Sequence, residues 1–283
     1  MSLLPEPIVS KLVLDNGVTI ATYDWLLQTG QKSRGTVLLV HGLGEHIGRY
    51  AHVAQHFNQW GFSVKGYDHF GHGLSTGARG GLLTENQLLD DLDAMIVLTR
   101  KNMPTNEKLV LVGHSMGGGV VGRYVSLNPN SADALVMSSP AIDGGLNVIQ
   151  KLLLSILPRV APNLRVGNGL NPKYISHDTA VVSGYASDPL VHDRISARLA
   201  KFIVENGTEL IASASRWKMP TLLMFAGQDK LVSPAGSRAF AASAPSCVEV
   251  QCFENMYHEI FNEIDQTQVF AYLKTWLDRT LAD

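Results

Sequence analysis

Residues 108–119, KLVLVGHSMGGG, decide how this chain folds. An apolar run typical of a buried strand leads into Gly113-His114-Ser115-Met116-Gly117, and the residues that follow have helical spacing. A serine on a sharp turn between a buried strand and a helix is lifted above the sheet edge, and flanking glycines let the backbone pass closely. The stretch therefore predicts a nucleophile elbow at Ser115. The alternative is a glycine-rich turn with an incidental serine.

Similar short apolar runs along the chain outline a sheet. They occupy residues 37–40, 62–66, 109–112, 134–137, 222–225 and 248–252. Strands that are apolar on both faces and alternate with helices indicate a mostly parallel central sheet flanked by helices, the α/β class. Asp15-Asn16-Gly17 lies between two runs of alternating residues, which predicts that two antiparallel strands come first.

The alternation breaks once, after the sixth strand. More residues separate the sixth and seventh strands than one crossover helix needs, and we interpret residues 141–214 as a helical cap inserted into a core of residues 1–140 and 215–283. Within the cap, residues 145–157 are predicted to be an apolar helix stopped by Pro158. A loop-rich stretch at 161–172 and a second helix at 194–206 are predicted to follow.

A nucleophilic serine needs a base and a carboxylate that orients it, and in this arrangement they follow the serine in the order acid, then histidine. His258 comes shortly after the last strand, whereas His177 and His192 fall in the cap. Asp229 is the aspartate that directly follows a buried strand after Ser115. We therefore predict Ser115, Asp229 and His258 as a catalytic triad; the alternative for Asp229 is a residue that only begins the next helix.

The attack of a serine creates an oxyanion that needs preorganised N–H donors. Met116, directly after the nucleophile, is predicted to supply one. The other is expected in the loop after an earlier strand, where His41-Gly42-Leu43-Gly44 follows the run TVLLV, so Leu43 is predicted to be the second donor. The alternative is a glycine turn that leads into a helix.

Composition narrows the class of ligand. A formal charge of −2, from 23 basic and 25 acidic residues, gives no electrostatic support for a nucleic-acid partner. The sequence has neither a Gly-rich phosphate loop nor His and Cys residues at metal-site spacing, so no cofactor and no metal are expected. Small neutral or lipid-like molecules stay open as ligands.

The motifs HGLGEHIGRY, YDHFGHGLSTG, GHSMGGG, GQDK and YHEIFNE together resemble the monoacylglycerol lipase and lysophospholipase family of α/β-hydrolases. The cap stretch YISHDTAVVSGYASDPL is similar as well. The resemblance implies an α/β-hydrolase fold and hydrolysis of one acyl ester on glycerol or a related head group through an acyl-enzyme. It assigns the same triad and the same two N–H donors.

Several alternatives stay open. Within enzymes they are a lysophospholipase, a general carboxylesterase or a carbon–carbon bond hydrolase; outside enzymes, a ligand-binding protein that kept the fold. The 145–157 helix carries its polar residues on one narrow stripe and leaves a wide apolar surface, which fits contact with a membrane or micelle through the cap and equally fits burial within the cap or a dimer contact. The oligomeric state is left open.

The location is expected to be cytoplasmic, with peripheral membrane association through the cap. The first residues show no basic start followed by an apolar run, which a secretory signal would have. Cys247 and Cys252 are the two cysteines, and their odd separation in a strand predicts opposite faces and therefore no mutual disulfide.

Overall fold

The computed structural model describes residues 6–143 and 156–282. The strands are β1 (Ile8–Val13), β2 (Thr19–Trp25), β3 (Gly35–Val40), β4 (Phe62–Tyr67), β5 (Lys108–His114), β6 (Ala134–Ser138), β7 (Arg165–Gly167), β8 (Arg194–Ser196), β9 (Thr221–Ala226) and β10 (Val248–Phe253). The α-helices in these parts of the chain are α1 (Ala51–Gln59), α2 (Gln87–Asn102), α3 (Met116–Leu127), α4 (Thr179–Ser187), α5 (Ala197–Ser213), α6 (Pro234–Ser243) and α7 (Gln266–Thr280).

An eight-stranded sheet organises the described residues, and β7 and β8 form a separate two-stranded sheet. The strand order of the larger sheet is β1-β2-β4-β3-β5-β6-β9-β10, antiparallel at β1-β2 and β2-β4 and parallel from β4 through β10. The predicted hairpin and mostly parallel sheet are therefore confirmed. Because parallel strands end at the same sheet edge, the segments after β3, β5, β9 and β10 meet there, and these segments carry the predicted site residues.

Both faces of the sheet are covered by helices. Along β3 the side chains alternate: Leu38 and Val40 pack with α2, α3, α5 and α6, whereas Val37 and Leu39 pack with α1 and α7. All six residues of β3 are buried. A strand buried on both faces must be apolar throughout, which explains why the central strands appear as uninterrupted apolar runs in the sequence.

The segment between β6 and β9 differs in part from the sequence-based prediction. The helix expected at 194–206 is present as α5, but it begins at Ala197, because residues 194–196 form the short strand β8, which pairs antiparallel with β7. Helix α5 begins late because the Ser196 side chain accepts a hydrogen bond from Leu199 N, an N-cap that holds Ser196 itself in extended conformation. Strand β7 lies inside the stretch predicted to be loop.

Most of the apolar helix predicted at 145–157 lies outside the described residues. Residues 156–160 are helical, so this helix does not stop before Pro158. A proline removes only its own N–H from the hydrogen-bond ladder, and Ala161 N still donates to Leu157 O at 2.8 Å.

The two cysteines are free, but they do not face opposite sides of the sheet. Both pack against the core cluster on the α3 and α5 side. The prediction was wrong because Cys247 precedes the first residue of β10, where strand alternation begins. Among the described residues, no helix combines the length and the apolar character that crossing a bilayer requires.

Candidate active site

Ser115 occupies a strained turn between β5 and α3. Its φ of +53° and ψ of −120° lie outside the regions that non-glycine residues normally adopt. The turn is held by Ser115 N donating to Ser138 O at 2.9 Å and Gly119 N donating to Ser115 O at 3.0 Å. A Cβ on Gly117 would lie 2.3 Å from Val40 O, so only glycine allows α3 to start this close to β3.

Asp229 and His258 form a buried acid–base pair at the same edge of the sheet. Asp229 Oδ2 lies 2.6 Å from His258 Nδ1, and the two side chains are 3% and 6% exposed. The other carboxylate oxygen accepts hydrogen bonds from Leu231 N and Val232 N, each at 2.9 Å. These bonds fix the carboxylate, which orients the imidazole so that its Nε2 is free for chemistry.

Electrostatics favours an ionised acid beside a basic imidazole. Burial opposes charge on His258, but the Asp229 carboxylate outweighs it, so the pKa of His258 is raised above its ordinary value. Burial likewise opposes ionisation of Asp229, yet His258 and the two backbone donors hold the pKa of this carboxyl below its ordinary value. The pair is therefore suited to accept and hold a proton at Nε2.

Ser115 lies at the same edge of the sheet as this pair, and the residue before it contacts the base. The ring of His114, the residue before the serine, lies 4.8 Å from the His258 ring. Burial lowers the pKa of His114 to about 3, so His114 adds no competing charge. Among the described side chains, no hydrogen bond joins Ser115 Oγ to His258; contacts of this kind tighten in the reacting complex.

The loop after β3 passes directly beside Ser115. A Cβ on Gly42 would lie 2.8 Å from Glu45 Oε1 and 3.1 Å from Ser115 Cβ, so a larger residue here would have to displace these groups. Leu43 follows and is half-buried, and Met116 is buried as the first residue of α3. Both residues predicted to donate N–H groups thus belong to segments that border the serine.

His41 sets the direction of the Leu43 N–H, a role that the sequence analysis missed. His41 Nδ1 lies 2.7 Å from Gly42 O, and His41 Nε2 accepts from His69 N at 3.0 Å. Burial holds the pKa of His41 well below its ordinary value, so the ring is neutral with its proton on Nδ1. In a trans peptide the N–H points opposite to the C=O, so holding Gly42 O toward His41 turns Leu43 N–H away from it.

A buried ionic network joins this loop to the segment of His258. Arg49 donates to both oxygens of Glu259, the residue after His258, at 2.8 and 2.7 Å, and it also pairs with Glu45. Glu45 in turn accepts from Gly42 N and Tyr50 Oη, each at 2.7 Å. Burial opposes ionisation of both carboxyls. At Glu259 the attraction of Arg49 outweighs the effect of burial, so the pKa is lowered, whereas at Glu45 the effect of burial prevails and the pKa is raised.

The sheet order and the strained serine between β5 and α3 define the chain as an α/β-hydrolase. The family model described as "Serine aminopeptidase, S33" matches residues 31–265, and the chain belongs to this family. The predicted fold class and family resemblance are thereby confirmed.

Three proteins illustrate the likeness. A monoacylglycerol lipase of Mycolicibacterium smegmatis is 34% identical over 92% of this chain and 93% of its own length. An uncharacterized abhydrolase domain-containing protein of Dictyostelium discoideum is 32% identical over 95% of this chain, which spans 29% of that longer protein. The crystal structure of a soluble variant of monoglyceride lipase from Saccharomyces cerevisiae, in complex with a substrate analog, has a TM-score of 0.88 and 26% identity and covers 97% of this chain and 96% of its own. The likeness to the two lipases shows that the chain is a carboxylic ester hydrolase.

Proposed function

We propose that this ester hydrolase cleaves monoacylglycerols into glycerol and free fatty acid, with Ser115, Asp229 and His258 as the triad. The observation that carries the proposal is the 2.6 Å contact of Asp229 with His258, at the same sheet edge as the strained Ser115. The likeness to a lipase and a lipase structure that bear the monoacylglycerol name supports the choice of substrate.

The reaction proceeds through an acyl-enzyme. His258 Nε2 takes the proton of Ser115 as the serine oxygen attacks the ester carbon, and the N–H groups of Leu43 and Met116 stabilise the resulting oxyanion. Collapse breaks the bond to the glycerol oxygen, which leaves with the proton from His258. A water molecule then attacks the acyl carbon, with His258 as its base, and the fatty acid is released while Ser115 regains its proton.

Residues 141–214 serve in this proposal as a cap over a core of residues 1–140 and 215–283. The described cap residues include Ile156, Val160, Leu164 and Val166, which are between 49% and 73% exposed. Apolar side chains exposed in the segment next to a lipase site suit contact with a lipid aggregate. Peripheral contact with a membrane or micelle through the cap is therefore part of the proposal, while a cytoplasmic location stays a prediction from the sequence.

A panel of esters tests the substrate. Monoacylglycerols are expected to be hydrolysed at least about tenfold faster, as kcat/KM, than diacylglycerols, triacylglycerols and lysophospholipids, because one acyl chain and a small neutral head group fit a single-chain site. Fatty acid release measured by titration checks this. Faster hydrolysis of lysophospholipids would instead assign a lysophospholipase, and indifference to the head group would assign a general carboxylesterase.

Substitution of one exposed cap residue tests the lipid contact. Val160→Ser removes a side chain whose transfer from water to lipid is worth about 1.5 kcal/mol, or about tenfold in binding. We expect KM for a long-chain monoacylglycerol in micelles to rise by up to about tenfold, with hydrolysis of a short soluble ester unchanged. Val97→Ser is the matched control, because Val97 is 60% exposed on α2 and Val160 is 73% exposed on the cap. Equal effects of the two variants would contradict a lipid contact at Val160.

A further inference from the structure

Residues 174–192, which we name the cap bridge, connect two catalytic loops. Helix α4 forms the middle of the cap bridge, and none of its side chains is buried. A nine-residue helix is marginal by itself and normally depends on a buried face. Within α4 the Arg49 guanidinium lies over the Tyr185 ring, 4.7 Å from its centre, and the other contacts described below lie toward the two ends of the cap bridge.

The first end of the cap bridge pairs with the loop that carries the base. His258 N donates to Tyr174 O at 3.4 Å, and Glu259 N donates to Ile175 O at 2.8 Å. The backbone of His258 and of its neighbour is thus bound to the cap as well as to the core.

Side chains strengthen this end. His177 Nδ1 lies 2.8 Å from Glu263 Oε1, and the same carboxylate oxygen accepts from Tyr257 N at 2.7 Å. The His177 ring also stacks on Tyr257, with ring centres 3.6 Å apart. Because Tyr257 directly precedes His258, a cap histidine holds the residue that sets the position of the base.

Lys230, in the loop that carries Asp229, contacts aromatic rings of both the cap bridge and the base loop. Its Nζ lies 4.6 Å from the centre of the Tyr174 ring and 5.2 Å from that of Tyr257. Lys230 directly follows Asp229, and Tyr257 directly precedes His258. The Lys230 cation over the Tyr174 and Tyr257 rings therefore connects the loops of acid and base with the cap. Such contacts are worth about 0.5–1 kcal/mol at exposed sites and more where water is excluded.

The second end of the cap bridge reaches the loop of the oxyanion donors. His192 N donates to Gly44 O at 2.8 Å, one residue after Leu43. The Asp188 carboxylate lies 2.8 Å from His46 Nε2, in the same loop. The two ends of one segment therefore contact the base loop and the oxyanion loop separately.

We propose that the cap bridge is a positioning element for the catalytic groups, with His177 and Lys230 as positioning residues for His258 and Asp229. This inference rests on the triad of the proposed function. A small displacement of a catalytic group costs far more rate than binding, so loosening the cap bridge lowers kcat and leaves KM for a short ester nearly unchanged. The cap bridge then affects the chemical step itself.

The test compares His177→Ala with Lys173→Ala on a short soluble 4-nitrophenyl ester. Both residues are exposed, Lys173 directly before the cap bridge and His177 within it, but Lys173 makes none of these side-chain contacts. We expect His177→Ala to lower kcat about tenfold per active site titrated with a phosphonate, with KM within about twofold. The acid limb of its pH profile moves to lower pH, because a loosened Asp229 raises the His258 pKa less. His177→Asn, which can still donate to Glu263, restores part of kcat, and Lys173→Ala behaves as the parent.

A second pair of variants decides the matter if His177→Ala does not fold. Lys230→Met keeps a long side chain without the cation, and we expect it to lower kcat severalfold, whereas Lys230→Arg keeps the cation and stays within about twofold of the parent. A rise in KM with unchanged kcat, or a lower Tm with unchanged kcat per titrated site, would overturn the inference. Loss of activity in Ser115→Ala alongside unaffected bridge variants would overturn only the positioning role and leave the triad in place.

Discussion

Replacement of Ser115 by alanine is expected to lower turnover by about 10⁶-fold, because the acyl-enzyme has no other oxygen from which to form. A residual rate above that of uncatalysed hydrolysis should remain, because the N–H groups of Leu43 and Met116 still bind the oxyanion of a water attack. Covalent labelling by a phosphonate should disappear as well. The measurements are turnover on a monoacylglycerol and the mass of the labelled protein.

The variant is expected to fold normally. Ser115 Oγ makes no hydrogen bond to another described side chain, and alanine keeps the same backbone strain. Ser139→Ala is a matched control, because Ser139 is also a serine with a positive φ, of 40°, next to the sheet edge; Ser139 is buried, whereas Ser115 is half-buried. Ser139→Ala should retain activity within about tenfold and be labelled fully. Turnover above about one hundredth of the parent in Ser115→Ala would rule out the triad.

The sequence was informative where one local pattern determines the structure. The central strands could be predicted because burial on both faces demands apolar runs, as in β3 and β9. Ser115, Asp229 and His258 could be selected because each follows a strand whose end lies at the same sheet edge. The structure places these three residues at that edge, and their catalytic roles remain to be tested by substitution.

The supporting contacts could not be predicted, because they join distant residues. Arg49 and Glu259 are 210 positions apart, and His177 and Glu263 are 86 apart, without any local pattern that pairs them. A buried ion pair becomes visible only when the fold brings its members together. A partial signal was present at Glu45 and Arg49, because a spacing of four often pairs opposite charges; in the structure they do pair, with Glu45 just before the short 3-10 helix Ile47–Tyr50 that carries Arg49.

The short strands β7 and β8 could not be predicted either, because they too depend on pairing between separate segments. Strand β8 has three residues and exists because β7 pairs with it. Strand β7 in turn lies in a stretch rich in glycine and asparagine, which by itself indicates a loop. The fold of the cap therefore depended on pairings within the cap, whereas the fold of the core followed from hydrophobic patterning and strand order.

Asp229→Asn is expected to lower kcat by about 10⁴-fold while the protein stays folded. The asparagine oxygen can still accept from Leu231 N and Val232 N, as Asp229 Oδ1 does at 2.9 Å. Its NH₂ group then faces His258 Nδ1 and donates to it. That contact places the imidazole proton on Nε2, the atom that must accept the proton of Ser115, so the base is in the wrong tautomer.

The same variant should shift the pH dependence. Only neutral His258 can act as a base, so kcat/KM falls as the pH drops through its pKa, which Asp229 raises above the ordinary value. With asparagine the opposing effect of burial prevails, the pKa falls, and the acid limb moves to lower pH. Asp188→Asn is the control, because Asp188 lies in the cap bridge and pairs with His46, not with His258. It should cost no more than about tenfold and leave the acid limb in place. A larger loss in Asp188→Asn than in Asp229→Asn would show that the acid of the triad has been wrongly assigned.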